Sequence, residues 1–435
     1  MKVCKFGGTS MATAAAINKV KNIVLSDPER KFVVVSAPGK RFKGDAKITD
    51  LLYAAHKESA EVGSPASAIS EIRRRFSELI KDLNLALDIG PYIDEIERNI
   101  TNGHSADYAA SRGEYLSAVI FARFIGGEFI DAGDIIKFRL DGSFDPESTN
   151  DLVAEIKERE GITVIPGFYG RTPDKSIKTF TRGGSDVTGA IIARGVKASV
   201  YENWTDVNGF MVTDPQIVKD AKQMSVLSYE ELRELSYMGA SVLHPDSIFP
   251  VRENGIPINI RNTFEPDNPG TLILKDVSSY TRPIITGVSG RKHNTTLTIK
   301  KSMLNAELGF VRKVLSVIER NGVSIEHIPT GIDAVSIIIT DTELDGHEQK
   351  IVEEIRGKVN PDSIEVIRNL ALIAVVGHGM ARTPGIAAKV FDALAKHNVN
   401  VRMMDQGSSE LNIIIGVEDA DYETSIKAIY EAFFG

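Results

Sequence analysis

Two stretches in the C-terminal third of this chain repeat one another without a gap, and that repeat constrains the fold more than any other feature. The run from Gly309, GFVRKVLSVIERNGVSIEHIPTG, aligns with the run from Gly385, GIAAKVFDALAKHNVNVRMMDQG. Gly309 meets Gly385, Lys313 meets Lys389, Val314 meets Val390, Val323 meets Val399 and Gly331 meets Gly407. The register continues into SIII at Ser336 and NIII at Asn412. Apolar residues at helical spacing, flanked by strand-like runs, predict a strand, a helix and an antiparallel strand pair in each copy. Two small ferredoxin-like βαββαβ modules in tandem satisfy this pattern.

Upstream of the punctuated stretch EPDNPGTLI (265–273) the pattern is different. MATAAAINKVKNIVLSD places Ile17, Val20 and Val24 at helical spacing, and KFVVVSAPG reads as a buried strand entering a loop. GEFIDAGDII, GITVIPGFYG, ASVYENWTD and IPINIRNT are further strand candidates, separated by helical stretches such as 185–194 and 228–237. Alternation of this kind predicts a mostly parallel sheet sandwiched by helices, with ligands gathered beyond the carboxyl ends of the strands.

The formal net charge of −8 is spread over 435 residues without a basic run, which argues against nucleic acid and for a small-molecule ligand. The single cysteine, Cys4, cannot form an intrachain disulfide or a CxxC metal site, and reads as strand packing. The N-terminus lacks the apolar segment of a signal peptide, and no apolar run reaches about 18 residues. The expectation is a cytoplasmic protein that does not enter a membrane.

Three clusters carry polar residues where packing does not ask for them. In KFGGTS, Gly7, Gly8, Thr9 and Ser10 can cradle phosphate oxygens beside the charge of Lys5, although the P-loop spacing GxxxxGK[ST] is absent. A tight strand-to-helix turn with a solvated lysine accounts for the same residues. In TFTRGGSDVTGA, Arg182 offers a planar fork for a carboxylate, two glycines free the backbone, and Ser185 and Asp186 open a helix. Capping explains one of those two, but neither the arginine nor the glycine pair. In NWTDVNGFMVTDP, two Thr-Asp pairs around a glycine turn can hold a nucleoside or organise Mg2+, and turn chemistry alone explains them equally well.

Taken in order, KFGGTS, SRGEYLSA (111–118), TRGGSD, WTDVNGF…TDP and MGASVLHP (238–245), followed by the twin modules, closely resemble aspartate kinase over essentially the whole chain. The resemblance implies an amino acid kinase fold over residues 1–275. Two ACT modules follow, over 284–360 and 365–435, with the first strand of the first shared with the second. It implies ATP and Mg2+ as cofactors, L-aspartate as the other substrate, and transfer of the γ-phosphoryl to the aspartate side-chain carboxylate, toward lysine, threonine and methionine. The chain ends at Gly435 without room for a fused homoserine dehydrogenase, so a monofunctional enzyme is expected.

Residue by residue, the resemblance makes Lys5 and Asp186 catalytic: Lys5 neutralises the transferring group, and Asp186 orients that lysine or the magnesium. No separate metal-ligand set is expected. Arg182 would grip the α-carboxylate of aspartate and Glu114 face its α-amino group, with Thr49 and Ser185 adding hydroxyl contacts. Gly7, Gly8, Thr9, Ser10, Thr205, Asp206, Phe210 and Met211 would serve the nucleotide. Met211, Gln216 and Ser241 stand where many relatives have Tyr, Arg and Lys, and TRGGSD replaces GRGGSD, so adenine and phosphate contacts are expected to differ in detail. The ACT modules imply a homodimer or tetramer and feedback by an end product, lysine first and threonine second, near Met303, Leu304, Phe310, Ser324 and Glu326. Without feedback, the same surface is a dimer interface.

Competing readings are another amino acid kinase, acting on glutamate, carbamate or a nucleoside monophosphate, and a catalytically inactive amino-acid sensor. GHGMARTPG (377–385) imitates a dinucleotide fingerprint but has Arg382 at the third glycine, with Pro384 expected to open a helix of the second module.

Overall fold

The computed structural model describes residues 1–435 apart from Arg182, Ser241 and His244 and the side chains of Pro245 and Asp246. The chain divides into two compact units. The first comprises Met1–Phe210, Gln223–Leu232 and Ser241–Tyr280; the second comprises Met211–Lys222, Arg233–Ala240 and Thr281–Gly435.

The first unit is built on an eight-stranded sheet. Its strands are β1 (Lys2–Phe6), β2 (Arg30–Val35), β3 (Glu128–Phe129), β4 (Thr163–Pro166), β7 (Val200–Thr205), β8 (Val226–Ser228), β9 (Ile258–Asn262) and β10 (Thr271–Leu274). The spatial order is β3-β4-β2-β1-β7-β9-β10-β8, and every pairing is parallel except β9 with β10. A separate hairpin joins β5 (Tyr169–Arg171) to β6 (Ile177–Thr179). The central strands are buried over most of their length, as Val33, Val34 and Val35 show, because helices cover both faces.

The covering helices include α1 (Ala14–Leu25), α2 (Ile48–Val62), α3 (Ala66–Asp82), α4 (Gly90–Thr101), α5 (Ala106–Ile125), α6 (Ala132–Ile135), α7 (Pro146–Ile156) and α8 (Gly184–Gly195). Ile17, Val20 and Val24 of α1 join the core formed with α2, α3, α4 and α5. The α5 helix starts at the Ser105 cap, whose hydroxyl accepts from the Tyr108 amide, and ends at Gly126 in the left-handed region. Of the expected strand GEFIDAGDII only Glu128–Phe129 pairs. The Asp131 carboxylate accepts from the Gly133 amide and turns the chain into α6 instead.

The second unit contains a five-stranded antiparallel sheet of β11 (Gly287–Lys300), β12 (Ala334–Thr340), β13 (Ser363–Val376), β14 (Met403–Asp405) and β15 (Asn412–Glu418), in the order β12-β11-β13-β15-β14. Two of these strands are long enough to serve both modules. Asn294–Lys300 of β11 pairs with β12, while Gly287–Arg291 pairs with Leu372–Val376 of β13. Helices Phe310–Arg320 and Glu348–Val359 pack the first module, and Ile386–Lys396 and Tyr422–Phe434 belong to the second. In the first copy the expected strand in SIEHIPTG shrinks to two isolated bridges, His327 with Ile338 and Thr330 with Val335. Pro329 between them has no N–H to give to a ladder. In the second copy the helix opens at Ile386 rather than Pro384, after Gly385 with φ 89°.

Candidate functional site

Three loops meet at the carboxyl ends of β1, β2 and β7. Lys5 is the next-to-last residue of β1, only 8% exposed, and lies in register with Asn203 of β7. Its Nζ stands 2.6 Å from Asp186 Oδ1 in the first turn of α8, and 3.4 Å from Asn203 Oδ1. Asn203 Nδ2 donates to the same Asp186 oxygen at 2.8 Å, and the Tyr201 hydroxyl donates to the Asp186 carbonyl at 3.0 Å. One carboxylate thus fixes a buried ammonium with help from two neighbours on β7.

The glycine loop after β1 is held by backbone. Gly7 N donates to Trp204 O at 3.0 Å and Gly39 N donates to Gly8 O at 2.8 Å. A Cβ on Gly39 would lie 2.8 Å from the Gly8 carbonyl carbon, and one on Gly8 3.1 Å from Ala37 O, so the KFGGTS and SAPG loops touch backbone to backbone. Thr9 Oγ1 donates to Asp206 Oδ2 at 3.0 Å, joining two of the residues expected at the nucleotide, and Thr205 Oγ1 donates to Asp206 Oδ1 at 3.2 Å.

Ser10 departs from the phosphate role expected of it. Its hydroxyl is fully buried and lies 2.8 Å from Thr263 Oγ1, so it pins the loop instead of facing outward. Phe210 is likewise buried, its amide donating to Thr271 Oγ1 at 2.9 Å. Met211 falls in the second unit.

The SRGE stretch sits inside α5. Gly113 is there for space: a Cβ would come within 2.8 Å of Ala37 Cβ and 3.1 Å of Ile48 Cγ2. Glu114 is 6% exposed and its Oε2 has no hydrogen-bond partner. Burial pushes its carboxyl up to about 8, with backbone hydrogen bonds at Ala37 and Glu114 only partly opposing. Thr49, half-buried, follows Ile48 in the first turn of α2. Ser185 is admitted by Gly167 at the end of β4, where a Cβ would lie 2.6 Å from its Oγ. Arg182 lies outside the described residues, as does Ser241.

The α8 helix begins after Gly183, which adopts φ 56°, so its free N–H groups and dipole open on the side where Asp186 meets Lys5. Sequence reading missed Asn203 and Tyr201. Both share the Lys5-facing parity of β7, whereas Glu202 and Trp204 point to the other face. There Glu202 takes a bidentate pair from Arg30 at 2.8 and 3.3 Å, a bond from Trp204 Nε1 at 2.9 Å and one from Cys4 Sγ at 3.4 Å. Burial holds the Cys4 thiol well above its usual range, so it is inert packing.

Of the residues expected to regulate, Leu304 and Phe310 are buried in the core of the first module. Met303 is exposed at φ 59° and Ser324 is exposed. Glu326 is ion-paired with Arg291, whose guanidinium lies 5.0 Å from the Tyr237 ring.

Residues 1–262 match the model of the amino acid kinase family, and residues 373–433 match an ACT domain. The chain is 35% identical to aspartokinase 3 of Bacillus subtilis (strain 168), an alignment covering 100% of this chain and 99% of the relative. Among solved structures it superposes on Clostridium acetobutylicum aspartate kinase with a TM-score of 0.96 and 51% identity, covering 100% of both chains. E. coli aspartokinase III in complex with aspartate and ADP gives 0.79 and 28%, again over 100% of both chains, and its complex with lysine and aspartate gives 0.80 and 28% over the same extent. Sheet, glycine loops, buried lysine and these likenesses agree: the chain belongs to the aspartokinases, ATP-dependent kinases of the amino acid kinase family.

Proposed function

We propose that the chain transfers the γ-phosphoryl group of MgATP to the side-chain carboxylate of L-aspartate, giving 4-phospho-L-aspartate and ADP at the head of lysine, threonine and methionine synthesis. The observation that carries this reading is the buried Lys5 ammonium fixed by Asp186 and Asn203 beside a glycine cradle and the N-terminus of α8. A carboxylate is already a nucleophile at neutral pH, so no general base is needed. A carboxylate oxygen bonds to the γ-phosphorus while the bond from that phosphorus to the bridging oxygen breaks, and the electron pair leaves with ADP. The protein's task is to bring two anions together and neutralise the transferring group.

Lys5 supplies that charge and Asp186 positions it. Gly8 and Thr9 present backbone N–H groups to the phosphates, with Gly7, whose N–H goes to Trp204 O, shaping the turn, while Thr205, Asp206 and the backbone at Phe210 serve the nucleoside. Arg182 takes the α-carboxylate of aspartate and Glu114 its ammonium, with Thr49 and Ser185 beside them. Mg2+ would arrive on the phosphates and neutralise them. Mg2+ prefers one or two carboxylates together with phosphate oxygens and water.

The C-terminal modules serve feedback in this reading, with lysine ahead of threonine, as the lysine complex of the E. coli relative supports. Met303, Leu308 and Ile332 are exposed apolar side chains that give the first module a face for a second copy. Among the described residues no helix is long and apolar enough to cross a membrane.

The test is ATP- and Mg2+-dependent hydroxamate formation from L-aspartate, with L-glutamate as the control acceptor and millimolar lysine or threonine as effectors. Activity with aspartate alone, suppressed by lysine, is the expected result. Absence of turnover under every condition overturns the kinase reading in favour of an amino-acid sensor. Turnover indifferent to both effectors removes the feedback part.

A further inference from the structure

We infer that the first unit holds a second ligand site, whose walls include neither Lys5 nor Asp186: a cavity between α4, α5 and the β5–β6 hairpin that takes a small organic carboxylate on Arg112. Arg112 is the neighbour of the glycine that seats α5 against α2, yet it takes no part in the chemistry proposed above. It is 7% exposed. Its guanidinium carbon lies 4.8 Å from the Tyr108 ring, 4.7 Å from the Tyr115 ring and 5.0 Å from the Tyr169 ring. Its hydrogen bonds among the described residues go to a single atom, Ser111 Oγ, from Nε at 3.0 Å and from Nη2 at 2.9 Å.

No carboxylate among the described residues pairs with it. Asp131, which shares the cavity wall, is spent on the Tyr169 hydroxyl at 2.7 Å, the Gly133 amide at 2.9 Å and Arg171 at 3.5 Å. Burial raises the three tyrosine hydroxyls, so the cage is neutral and offers ring faces rather than a counter-charge. Buried arginines are almost always paired. Here the free side of the fork borders a cavity of about 660 Å³, within the range of small-molecule sites. A guanidinium stacked among aromatic rings with an unfilled fork matches a planar carboxylate, and Tyr92 and His104 on the wall offer rings to an apolar remainder.

Benzoate is the probe, with inorganic phosphate in parallel, on the full-length protein. Benzoate should slow amide hydrogen exchange in residues 103–108 and 169–177, and its calorimetric affinity should fall about tenfold or more in Arg112→Met. Should that variant fail to fold by circular dichroism, exchange protection of the unmodified chain decides alone. Benzoate that protects neither segment overturns the assignment, as does equal affinity in a folded Arg112→Met. Protection by phosphate but not by benzoate overturns the carboxylate class.

Discussion

Lys5 Nζ and Asp186 Oδ1 stand 2.6 Å apart, one at the end of the first strand and the other in the first turn of a helix far along the chain. Asn203 touches both, so the ammonium is fixed before any substrate arrives. A charge held this way lowers the barrier by being in place already. Lys5→Met should therefore reduce turnover by about a hundredfold or more, with the aspartate KM within a few-fold of wild type. Steady-state kinetics of the hydroxamate assay measure both constants, and an unchanged kcat would remove Lys5 from the catalytic role.

Gly39 tests the cradle through sterics alone. A methyl group there would sit 2.8 Å from the Gly8 carbonyl carbon and 3.1 Å from the Thr9 amide nitrogen, and backbone cannot step aside as a side-chain tip can. Gly39→Ala is expected to cost about 1–3 kcal/mol and to raise the KM for ATP more than that for aspartate. Thermal unfolding and the two KM values check it. An aspartate KM that rises while the ATP KM stays put would place the loop at the other substrate.

Much of this is legible in the sequence. The parallel sheet and the tandem modules follow from local apolar periodicity, and the glycine pairs mark places where backbone must approach backbone. What escaped depends on partners distant in sequence. Asn203 matters because the β1–β7 register sets it opposite Lys5. Ser10 looked like part of the cradle, but Thr263, brought over by the end of β9, claims its hydroxyl. Arg112 read as one letter of a motif until three tyrosines from α5 and β5 closed around it.

Glu114 predicts a pH dependence. Burial pushes its carboxyl up to about 8 from the 4.5 of an ordinary glutamate, so between these values the folded chain holds a proton that the unfolded chain lacks. Stability from this group is present below about 4.5 and lost as pH rises through 8. In the role proposed for Glu114 binding runs the other way, because an aspartate ammonium facing it needs the ionised carboxylate. The aspartate KM should fall by up to about tenfold per pH unit from 6.5 toward 8, and binding near pH 7 should release close to one proton. Calorimetry in buffers of different ionisation enthalpy counts that proton. A flat KM profile without proton release would detach Glu114 from the ammonium.

On the opposite face of β7, the bidentate pair of Arg30 with Glu202 is a stability device, with Trp204 packed against it. Arg30→Met leaves the buried Glu202 carboxylate with the Trp204 Nε1 and Cys4 Sγ hydrogen bonds and with Lys2, at 3.8 Å, as its ion-pair partner, and should cost about 3 kcal/mol. Trp204 is the only tryptophan of the chain and accordingly reports the loss in urea unfolding. A midpoint within error of wild type would mean that the pair contributes nothing net.

Glu326 is the expected acceptor of an effector ammonium, yet Arg291 pairs with it while lying over the Tyr237 ring. Lysine binding through Glu326 must then displace a guanidinium, and the energy of that exchange is subtracted from the observed affinity. Removing the competitor frees the carboxylate, so Arg291→Met should lower the lysine concentration needed for half-inhibition, by about threefold to tenfold for a partly exposed pair. Glu326→Gln should raise it. If Arg291→Met instead weakens inhibition while Glu326→Gln leaves it unchanged, the effector contacts the arginine side of the pair, and its recognised group is an anion rather than an ammonium.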